Sequence, residues 1–353
     1  MSASFPPVDI EEAQSLWHPK TVYLNTATYG LPPQPAWDAL QTALDEWHHG
    51  KTGFLGWDES TSGSRRAFAK MVGVGEESVT VAATVSSLTA FVADSLPDGT
   101  TVVAPEIEFT SALWPWMVHA DRGVSVRTVP LRDLADAIDR DTDLVAVSAV
   151  QSATGEIADL DRVAAVAADM GAKVFVDATQ ACGWLPIDAS RYDFVVCAAY
   201  KWLMGPRGTA FMTVAPEHLA SLRPSAANWY GGGEVHASYY GPPLRLAEGA
   251  RRLDISPAWF CWVGTQPAIE LLLSIGIEEI RRHNIGLANK FLEGLGHPPG
   301  NSAIVRVPVP DADERLRRAG VMAAVRAGQV RASFHVYNTE SDVDAALEAL
   351  GAR

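Results

Sequence analysis

The sequence predicts an α/β protein with a mostly parallel central sheet of the seven-stranded type, helices on both faces, and a small α+β C-terminal domain. Short apolar runs rich in β-branched residues alternate with amphipathic stretches between residues 65 and 215. This alternation is the pattern of βαβ units around one large sheet. After residue 214 the chain becomes turn-rich, and a second, shorter series of elements follows. These two observations give the fold class.

The elements of the predicted sheet follow directly from the periodicity. Each strand run is short, apolar and bounded by turn-forming residues, whereas the helical stretches carry apolar residues at helical spacing. The predicted strands are Val79–Val85, Thr101–Ala104, Val124–Val129, Leu144–Ala149, Val174–Asp177, Phe194–Ala198 and Thr209–Val214. The predicted helices are Leu88–Ser95, Ser111–Ala120, Arg132–Arg140 and Leu160–Met170.

The remainder of the chain predicts a loop region, one long helix and a small mixed domain. Residues 228–257 are rich in turn-forming sequence. The predicted elements after them are a helix at Gln266–Leu295, a strand at Ile304–Val309, a helix at Asp311–Ala319, a strand at Gln329–Tyr337 and a helix at Ser341–Leu350. We therefore divide the chain into an N-terminal arm (1–20), a large α/β domain (21–250), and the long connecting helix with the C-terminal α+β domain (251–353).

Composition excludes several classes of partner. Of the 353 residues, 28 are Lys or Arg and 42 are Asp or Glu, which gives a net charge of −14. A surface this acidic repels a phosphate backbone, so no nucleic-acid partner is expected. No apolar stretch approaches the roughly 18 residues of a membrane span, so no membrane partner is expected either. The three cysteines are odd in number and widely spaced, which favours a reducing cytoplasm over a disulfide framework.

Three polar features follow predicted strands, where an open α/β sheet binds its ligands. Asp177 ends one strand, and Gln180 lies three residues later. Lys201 lies in a weakly charged, turn-forming stretch after the next strand. Ser86 and Ser87 place hydroxyls at a junction between a strand and a helix. Each feature alone is more typical of a helix cap or a surface residue than of a functional site.

Together these residue types meet the needs of pyridoxal phosphate (PLP). This cofactor requires a lysine for a Schiff base, a carboxylate beside the pyridine nitrogen, and a helix N-terminus with hydroxyls for its phosphate. A protonated ring nitrogen makes the ring an electron sink, and that cation stabilises the ionised form of Asp177. The sequence therefore predicts a PLP enzyme, and no metal site is expected.

The order V-x-V-D-A-T-Q, a spacer, and then x-K-W-L-x-G-P-R-G resembles the class V aminotransferase family. That family includes cysteine desulfurases, C–S lyases, kynureninase-like enzymes and isopenicillin-N-epimerase-like enzymes. The resemblance begins at residues 23–27 (YLNTA) and continues to residues 330–339 (VRASFHVYNT). It implies the PLP fold type I, an amino-acid substrate and a homodimer.

The resemblance also implies a role for each matching position. Lys201 corresponds to the Schiff-base lysine, and Asp177 to the partner of the ring nitrogen. Arg331 corresponds to the arginine that binds the substrate carboxylate through its planar fork, with Ala27 also at the substrate. The remaining cofactor-binding positions are Ser86, Ser87 and Tyr200 at the phosphate, Phe109 against the ring, Gln180 and Ser152 at the ring hydroxyl, and Ser256, which reaches the phosphate of the neighbouring subunit.

Departures from the family pattern bear on the reaction. The stacking position, a histidine in desulfurases, is Phe109, and a frequent serine is replaced by Ala198. Desulfurases carry a nucleophilic cysteine on a mobile loop, but the comparable stretch Val321–Gly328 contains none. Two of the three cysteines, Cys182 and Cys197, are interpreted as small core residues. Cys261 remains open as an alternative nucleophile.

Several reactions can follow removal of the α-proton. We expect β-elimination, as in a C–S lyase, because the layout resembles the desulfurase side of the family and lacks its cysteine. Aminotransfer, epimerisation and a kynureninase-like reaction are the alternatives within the family. A non-catalytic protein of the same fold is the alternative outside it, and the joint presence of Lys201, Asp177 and Arg331 argues against it.

Overall fold

The computed structural model describes residues 6–326 and 329–352. Its strands are β1 (Val22–Tyr23), β2 (Val79–Ala82), β3 (Thr101–Pro105), β4 (Ser125–Val129), β5 (Leu144–Ser148), β6 (Lys173–Asp177), β7 (Phe194–Ala198), β8 (Ala210–Val214), β9 (Ile304–Val307), β10 (Val321–Met322), β11 (Ala324–Arg326) and β12 (Gln329–Ser333). Its α-helices are α1 (Ile10–Gln14), α2 (Gln34–His48), α3 (Phe54–Met71), α4 (Val85–Ser95), α5 (Thr110–Met117), α6 (Leu160–Met170), α7 (Trp259–Ile275), α8 (Ile277–Gly294), α9 (Ala312–Arg318) and α10 (Glu340–Ala349).

The central sheet has seven strands in the order β2-β8-β7-β6-β5-β3-β4. Strands β4, β3, β5, β6 and β7 pair in parallel, and β8 runs antiparallel to both of its neighbours, β7 and β2. The predicted mostly parallel, seven-stranded sheet is therefore confirmed. Because the parallel strands end at one edge, the residues that follow them are brought together there.

Both faces of the sheet are buried. In β6, Phe175 belongs to a core cluster with Phe91 of α4 and Trp116 of α5. Its neighbour Val176 belongs to the cluster on the opposite face, which contains Val163 of α6. Successive strand residues point to opposite faces, so a strand covered on both sides must be apolar throughout. This is why the strand runs are continuous rather than alternating.

Two helix predictions differ from the structure. The stretch Arg132–Arg140, predicted as one helix, forms two short 3-10 turns that end at Ile138, which is extended (ψ 122°). There the Thr142 hydroxyl accepts from the Asp139 backbone nitrogen (3.1 Å) and closes a separate turn. The long helix predicted over Gln266–Leu295 is two helices, α7 and α8, which meet at 84°. Gly276 between them has φ 92°, a conformation that favours glycine.

The C-terminal part forms a three-stranded antiparallel sheet in the order β11-β12-β9. Its core cluster includes Phe291 of α8, Leu316 of α9 and Val343 of α10. The short strand β1 pairs in parallel with β10, so the N-terminal segment runs along the C-terminal part. The predicted small α+β unit is confirmed as part of the fold class, while the boundaries 1–20, 21–250 and 251–353 stay a prediction.

Within residues 6–326 and 329–352, no single helix has the length and apolar character needed to cross a membrane. The bent pair α7 and α8 meets the criterion only when its two helices are taken together, by length and composition alone.

Candidate active site

A cavity of about 260 Å³ lies at the carboxyl edge of the central sheet. Residues after β2, β3, β5, β6 and β7 contribute to its wall, as the strand order requires. Seven of the predicted site residues line it: Ser86, Phe109, Ser152, Asp177, Gln180, Tyr200 and Lys201. The others, Ala27, Ser87, Ser256 and Arg331, lie outside that lining.

Lys201 lies in a tight turn directly after β7 and is 6% exposed. The Met204 backbone nitrogen donates to the Lys201 carbonyl (3.1 Å), and Met204 itself has φ 56°. Burial lowers the pKa of Lys201 to about 8, with Arg331 and Arg207 acting in the same direction and Asp177 opposing them. The amine is therefore only partly protonated near neutral to mildly alkaline pH, which suits a nucleophile or a base.

Asp177 is the last residue of β6 and is 5% exposed. Its Oδ1 accepts from the backbone nitrogen of Thr179 (2.8 Å). Burial raises the pKa of Asp177 to about 6, and the nearby Glu108 adds to the rise, while Thr179 and Lys201 oppose it. A cation beside this carboxylate would stabilise its ionised form.

The N-terminus of α4 forms another wall of the cavity. Thr84 is the N-cap, and its Oγ1 accepts from the Ser87 backbone nitrogen (3.2 Å). The Ser87 hydroxyl donates to the Thr84 carbonyl (2.7 Å), so its proton is used within the helix end. Ser86 and Thr84 line the cavity. A helix N-terminus with two hydroxyls is a favourable environment for a phosphate group.

A hydrogen-bond network connects Gln180, Ser152 and Arg331. Gln180 Nε2 donates to Ser152 Oγ (3.0 Å) and to the Ala27 carbonyl (3.0 Å), while its Oε1 accepts from Trp202 Nε1 (2.7 Å). Arg331 Nη1 donates to the Ser152 carbonyl (2.5 Å) and approaches Ser152 Oγ at 3.3 Å. The guanidinium thus lies directly behind the cavity wall formed by Ser152.

Arg331 is buried in β12 and is 2% exposed. Its Nη2 donates to Thr28 Oγ1 (2.7 Å), which belongs to the N-terminal segment. This segment is fixed to β12 by a bridge between Asn25 and Ser333, and the Ala27 backbone nitrogen donates to Ser333 Oγ (3.0 Å). The positions of Arg331 and Ala27 therefore depend on pairing between the two ends of the chain.

Aromatic rings flank the lysine. The Phe109 ring is 48% exposed, and its backbone nitrogen donates to Glu108 Oε1 (2.7 Å). The Tyr200 ring lies 5.5 Å from the Tyr29 ring between centroids. Neither residue is a histidine. Their rings can therefore pack against a ligand but cannot act as an imidazole base.

Ser256 lies outside the cavity lining and is exposed, in the segment before α7. The segment is anchored by Asp254, whose Oδ2 accepts a hydrogen bond from Arg65 Nη2 (2.5 Å) in a buried ion pair. Asp254 Oδ1 also accepts from the Val81 backbone nitrogen (2.9 Å), in the strand that leads into α4. Ser256 thus follows, by two residues, a buried anchor at the edge of the sheet.

Comparison with known proteins identifies the family. A model described as aminotransferase class-V matches residues 58–316. The chain belongs to this family. As a member, it is a PLP-dependent enzyme, so the predictions of family, enzyme class and cofactor are confirmed. The chain also has the family's fold, as two solved structures show.

The first is a complex between the cystine C–S lyase C-DES and its reaction product cysteine persulfide. It is 21% identical with a TM-score of 0.84 and covers 94% of this chain and 97% of the lyase. The second is a variant of C-DES with glycine covalently linked to the PLP cofactor. It is 20% identical with a TM-score of 0.86 and covers 97% of this chain and 99% of the variant.

Relatives of this class-V enzyme carry different activities in their names. An uncharacterized aminotransferase, YcbU, of Bacillus subtilis is 28% identical and covers 91% of both chains. Isopenicillin N epimerase of Streptomyces clavuligerus is 28% identical and covers 98% of both chains. A probable cysteine desulfurase of Methanothermobacter thermautotrophicus is 28% identical and covers 71% of this chain and 72% of its own.

The residues of the cavity fit the cofactor of the family. A buried amine and a buried carboxylate follow neighbouring parallel strands, and the hydroxyl-bearing N-terminus of α4 faces the same space. These are the groups that PLP requires for attachment, for protonation of its ring nitrogen and for its phosphate. Among the described residues, no group of three or more His, Cys, Asp or Glu is arranged to hold a metal ion.

Sequence reasoning missed several residues at the site. Ser148, Thr179 and Arg207 line the cavity and have no role in the sequence-based prediction, while Thr84 belongs there only to the hydroxyl-bearing junction of residues 84–87. Glu108 is buried beneath it and accepts from the Ser148 backbone nitrogen (2.7 Å) and from Gln151 Nε2 (3.1 Å). The predicted strand Val79–Val85 includes Thr84, whereas in the structure α4 begins at Val85 and Thr84 is its N-cap. Glu108 carries no local signal, because its partners lie about forty residues away.

Proposed function

We propose that this enzyme removes the α-proton of an L-amino acid and then eliminates a sulfur substituent from the β-carbon, as a C–S lyase does. The observation that carries the proposal is the shared cavity of Lys201 and Asp177, with Arg331 behind Ser152. This arrangement places an amine and a carboxylate in one cavity and a guanidinium directly behind its wall.

The residues of the cavity divide into cofactor and substrate groups. PLP, when bound, withdraws electrons from the α-carbon of an amino acid attached to it. Lys201 would hold the cofactor covalently, Asp177 would pair with the ring nitrogen, and Phe109 would cover one face of the ring. The α4 N-terminus with the hydroxyls of Thr84 and Ser86 would hold the phosphate, together with Tyr200, whereas the predicted Ser87 hydroxyl already donates to the Thr84 carbonyl. Gln180 and Ser152 would contact the ring hydroxyl, with Gln180 also positioning Ser152.

On the substrate side, Arg331 binds the α-carboxylate through its planar fork. Its hydrogen bonds to Ser152 and Thr28 fix the orientation of that fork before substrate arrives. The Lys201 amine, freed when the amino group of the substrate takes its place, accepts the α-proton at Nζ, and its lowered pKa increases the fraction of neutral amine available for this step. The sulfur substituent then leaves the β-carbon with the electron pair of the broken C–S bond. Hydrolysis of the remaining three-carbon unit gives pyruvate and ammonia.

The positions of the cysteines support elimination over persulfide transfer. Cys182 and Cys197 are buried, and burial raises the pKa of the Cys197 thiol. The stretch Val321–Gly328, which corresponds to the desulfurase loop, forms β10 and β11 over its described residues. Its last two residues, Ala327 and Gly328, lie outside the described residues. A persulfide-forming enzyme needs an ionised thiolate that reaches the substrate sulfur.

Cys261 is the remaining candidate for a nucleophilic thiol. Cys261 lies in α7, and its Sγ is 3.2 Å from the carbonyl of Arg207. Arg207 belongs to a loop that borders the cavity. Burial raises the pKa of this thiol, so the thiolate is disfavoured at neutral pH. We therefore assign no chemical role to Cys261.

A product analysis tests the proposal. The PLP-loaded enzyme is incubated with L-amino acids and S-substituted L-cysteines, and pyruvate, ammonia, sulfide, amino transfer and racemisation are measured. We expect pyruvate and ammonia in equal amounts from at least one S-substituted cysteine. Amino transfer or racemisation without pyruvate would identify an aminotransferase or an epimerase, and a kynureninase-like enzyme would cleave an aromatic substrate instead. Binding of PLP without any turnover would favour a non-catalytic protein of this fold.

We also propose a homodimer in which Ser256 of one subunit reaches the phosphate site of the other. The exposure of Ser256 and the buried Arg65–Asp254 ion pair two residues before it support this assignment. Closed two-fold dimers are the commonest oligomers. Sedimentation of the holoenzyme should give a dimer, and a fully active monomer would contradict the proposal.

A further inference from the structure

Arg207 lies on the wall of the cavity, in the loop between the Lys201 turn and β8. Its backbone is anchored on two sides: the Arg207 nitrogen donates to Tyr29 Oη (2.9 Å), and Cys261 Sγ donates to the Arg207 carbonyl. The guanidinium carbon lies 4.8 Å from the centroid of the Tyr200 ring. A planar guanidinium that stacks on an aromatic ring keeps its N–H groups available at its edge.

The charge of Arg207 is not neutralised within the part of the chain that the structure describes. Over residues 6–326 and 329–352, the ion pairs join other cations to Asp and Glu side chains, and Arg207 takes part in none of them. The cavity lining carries three charged side chains, Lys201, Asp177 and Arg207. The proposed function uses the first two, which leaves Arg207 as the unassigned cation of the cavity.

Arg207 shares the cavity with the N-terminus of α4, because Thr84, Val85 and Ser86 belong to the same lining. Tyr200, on which it stacks, lines the same cavity and packs against the core cluster on the α4 face of the sheet. Arg331, in contrast, contacts Ser152 and Thr28. Both arginines contact the N-terminal segment, since the Arg207 nitrogen donates to Tyr29 and Arg331 donates to Thr28. Of the two, Arg207 lines the cavity that the N-terminus of α4 also faces, whereas Arg331 lies outside that lining.

We propose that Arg207 binds the phosphate group of PLP and supplies the full positive charge at the phosphate site. A phosphate monoester carries a charge of about −1.5 to −2 at neutral pH. The N-terminus of α4 contributes only about half an elementary charge, and the hydroxyls of Thr84 and Ser86 contribute none. The guanidinium edge of Arg207 can donate two parallel hydrogen bonds to phosphate oxygens. This inference rests on the cofactor and not on the reaction that follows.

The test compares cofactors with and without a phosphate. The affinities of PLP and of pyridoxal for the cofactor-free protein are measured by quenching of tryptophan fluorescence, for wild type, Arg207→Met and Arg207→Lys. We expect Arg207→Met to weaken PLP binding about 10- to 100-fold and to leave pyridoxal binding unchanged. The PLP affinity of Arg207→Lys should lie between those of wild type and Arg207→Met, since lysine keeps the positive charge but lacks the planar fork of the guanidinium.

Arg132→Met is the matched control, because the Arg132 side chain is 79% exposed and outside the cavity. Thermal unfolding of the cofactor-free variants checks that folding is intact. The inference would be overturned if Arg207→Met lost affinity equally for PLP and pyridoxal, or if its affinity for PLP were unchanged. A wild-type protein that binds PLP no better than pyridoxal would also overturn it. If PLP affinity is unchanged while binding of dicarboxylic amino acids falls, Arg207 binds a substrate side chain instead.

Failure of the proposed function has a different signature. An enzyme that transfers amino groups or racemises its substrate would disprove the elimination reaction and leave the ratio of PLP to pyridoxal affinity untouched. The affinity ratio in Arg207→Met therefore reports on the phosphate site alone.

Discussion

The Lys201 amine lies 5.4 Å from the centroid of the Phe109 ring. At this distance the face of the ring attracts the protonated form of the amine and offsets part of the cost of its burial. The ring is itself half exposed and closes the outer side of the cavity. Phe109 therefore takes part in two ways, by shielding Lys201 from water and by offering a flat surface to a ligand.

Replacing Lys201 with Ala should abolish covalent attachment of the cofactor and lower turnover by at least about 10²–10⁴-fold, because the amine is both the proposed attachment point and the proposed base. Borohydride reduction followed by peptide mass spectrometry locates the modified lysine in the wild-type enzyme. The exposed Lys51 serves as control, since Lys51→Ala leaves the cavity intact. A modified lysine other than Lys201 would disprove the assignment.

Asp177→Asn should retain PLP but exchange the α-proton of its substrate about 10²–10³-fold more slowly, because a neutral partner no longer stabilises the protonated ring nitrogen. Deuterium exchange at the α-carbon, followed by NMR, measures this step directly. Exchange at the wild-type rate would count against the role of Asp177.

The same variant should stabilise the cofactor-free protein above about pH 6. The pKa of Asp177 is raised to about 6 in the folded state, so its contribution to stability is present below the ordinary aspartate pKa and is lost as pH rises through 6. Asp177→Asn removes this loss and should gain roughly 1–3 kcal/mol of unfolding free energy at pH 7.5. Urea unfolding of both cofactor-free proteins at pH 4 and pH 7.5 measures the difference, which should nearly vanish at pH 4.

Attachment of PLP to the cofactor-free enzyme should accelerate with pH and level off above a midpoint near 8. The pKa of Lys201 is lowered to about 8, mainly by burial, and only the neutral amine is nucleophilic. Asp177→Asn removes a negative charge that favours the protonated amine, so the midpoint should move to lower pH. Stopped-flow absorbance between pH 6.5 and 9.5 follows the reaction, and a midpoint near the ordinary lysine pKa would contradict the prediction.

Gly30→Ala should weaken cofactor binding without touching a functional side chain. A Cβ atom at Gly30 would overlap the carbonyl oxygen of Lys201, so the turn that carries the lysine must shift. The matched control is Gly286→Ala in α8, where a Cβ meets no atom within 4 Å. We expect the control to keep wild-type affinity for PLP, and a Gly30→Ala enzyme with unchanged affinity would show that the turn tolerates displacement.

Persulfide chemistry can be tested on the cysteines themselves. Cys182→Ala, Cys197→Ala and Cys261→Ser combined should retain activity on S-substituted cysteines, because the proposed elimination uses no thiol of the enzyme. Mass spectrometry of the wild-type enzyme after turnover should find no persulfide adduct. An adduct on Cys261, together with loss of activity in Cys261→Ser alone, would establish a desulfurase mechanism.

The large sheet could be predicted because its strands are buried on both faces and are therefore continuous apolar runs, as in Val174–Asp177 and Phe194–Ala198. The break at Gly276 could not, because the apolar pattern continues through it and a single glycine is tolerated in many helices. Its positive φ follows from the way α7 and α8 pack on different parts of the molecule.

The candidate site could be predicted where the residue type and its place after a strand together indicate a function, as they do for Lys201 and Asp177. Glu108 and Arg207 were not, because their significance depends on contacts between distant segments. Arg207 becomes noticeable only when Tyr200 is seen beneath it and no carboxylate is found beside it among the described residues.

The contact between Arg331 and Thr28 joins residues 303 positions apart. During synthesis on a ribosome, the segment that carries Thr28 emerges first and must remain unpaired while almost the whole chain is made. The strands of the large sheet, β2 to β8, can pair as they appear, since all of them precede β9. The contact that fixes Arg331 is consequently among the last to form, and a nascent chain can complete its lysine-bearing core well before the guanidinium proposed to bind a carboxylate is in place.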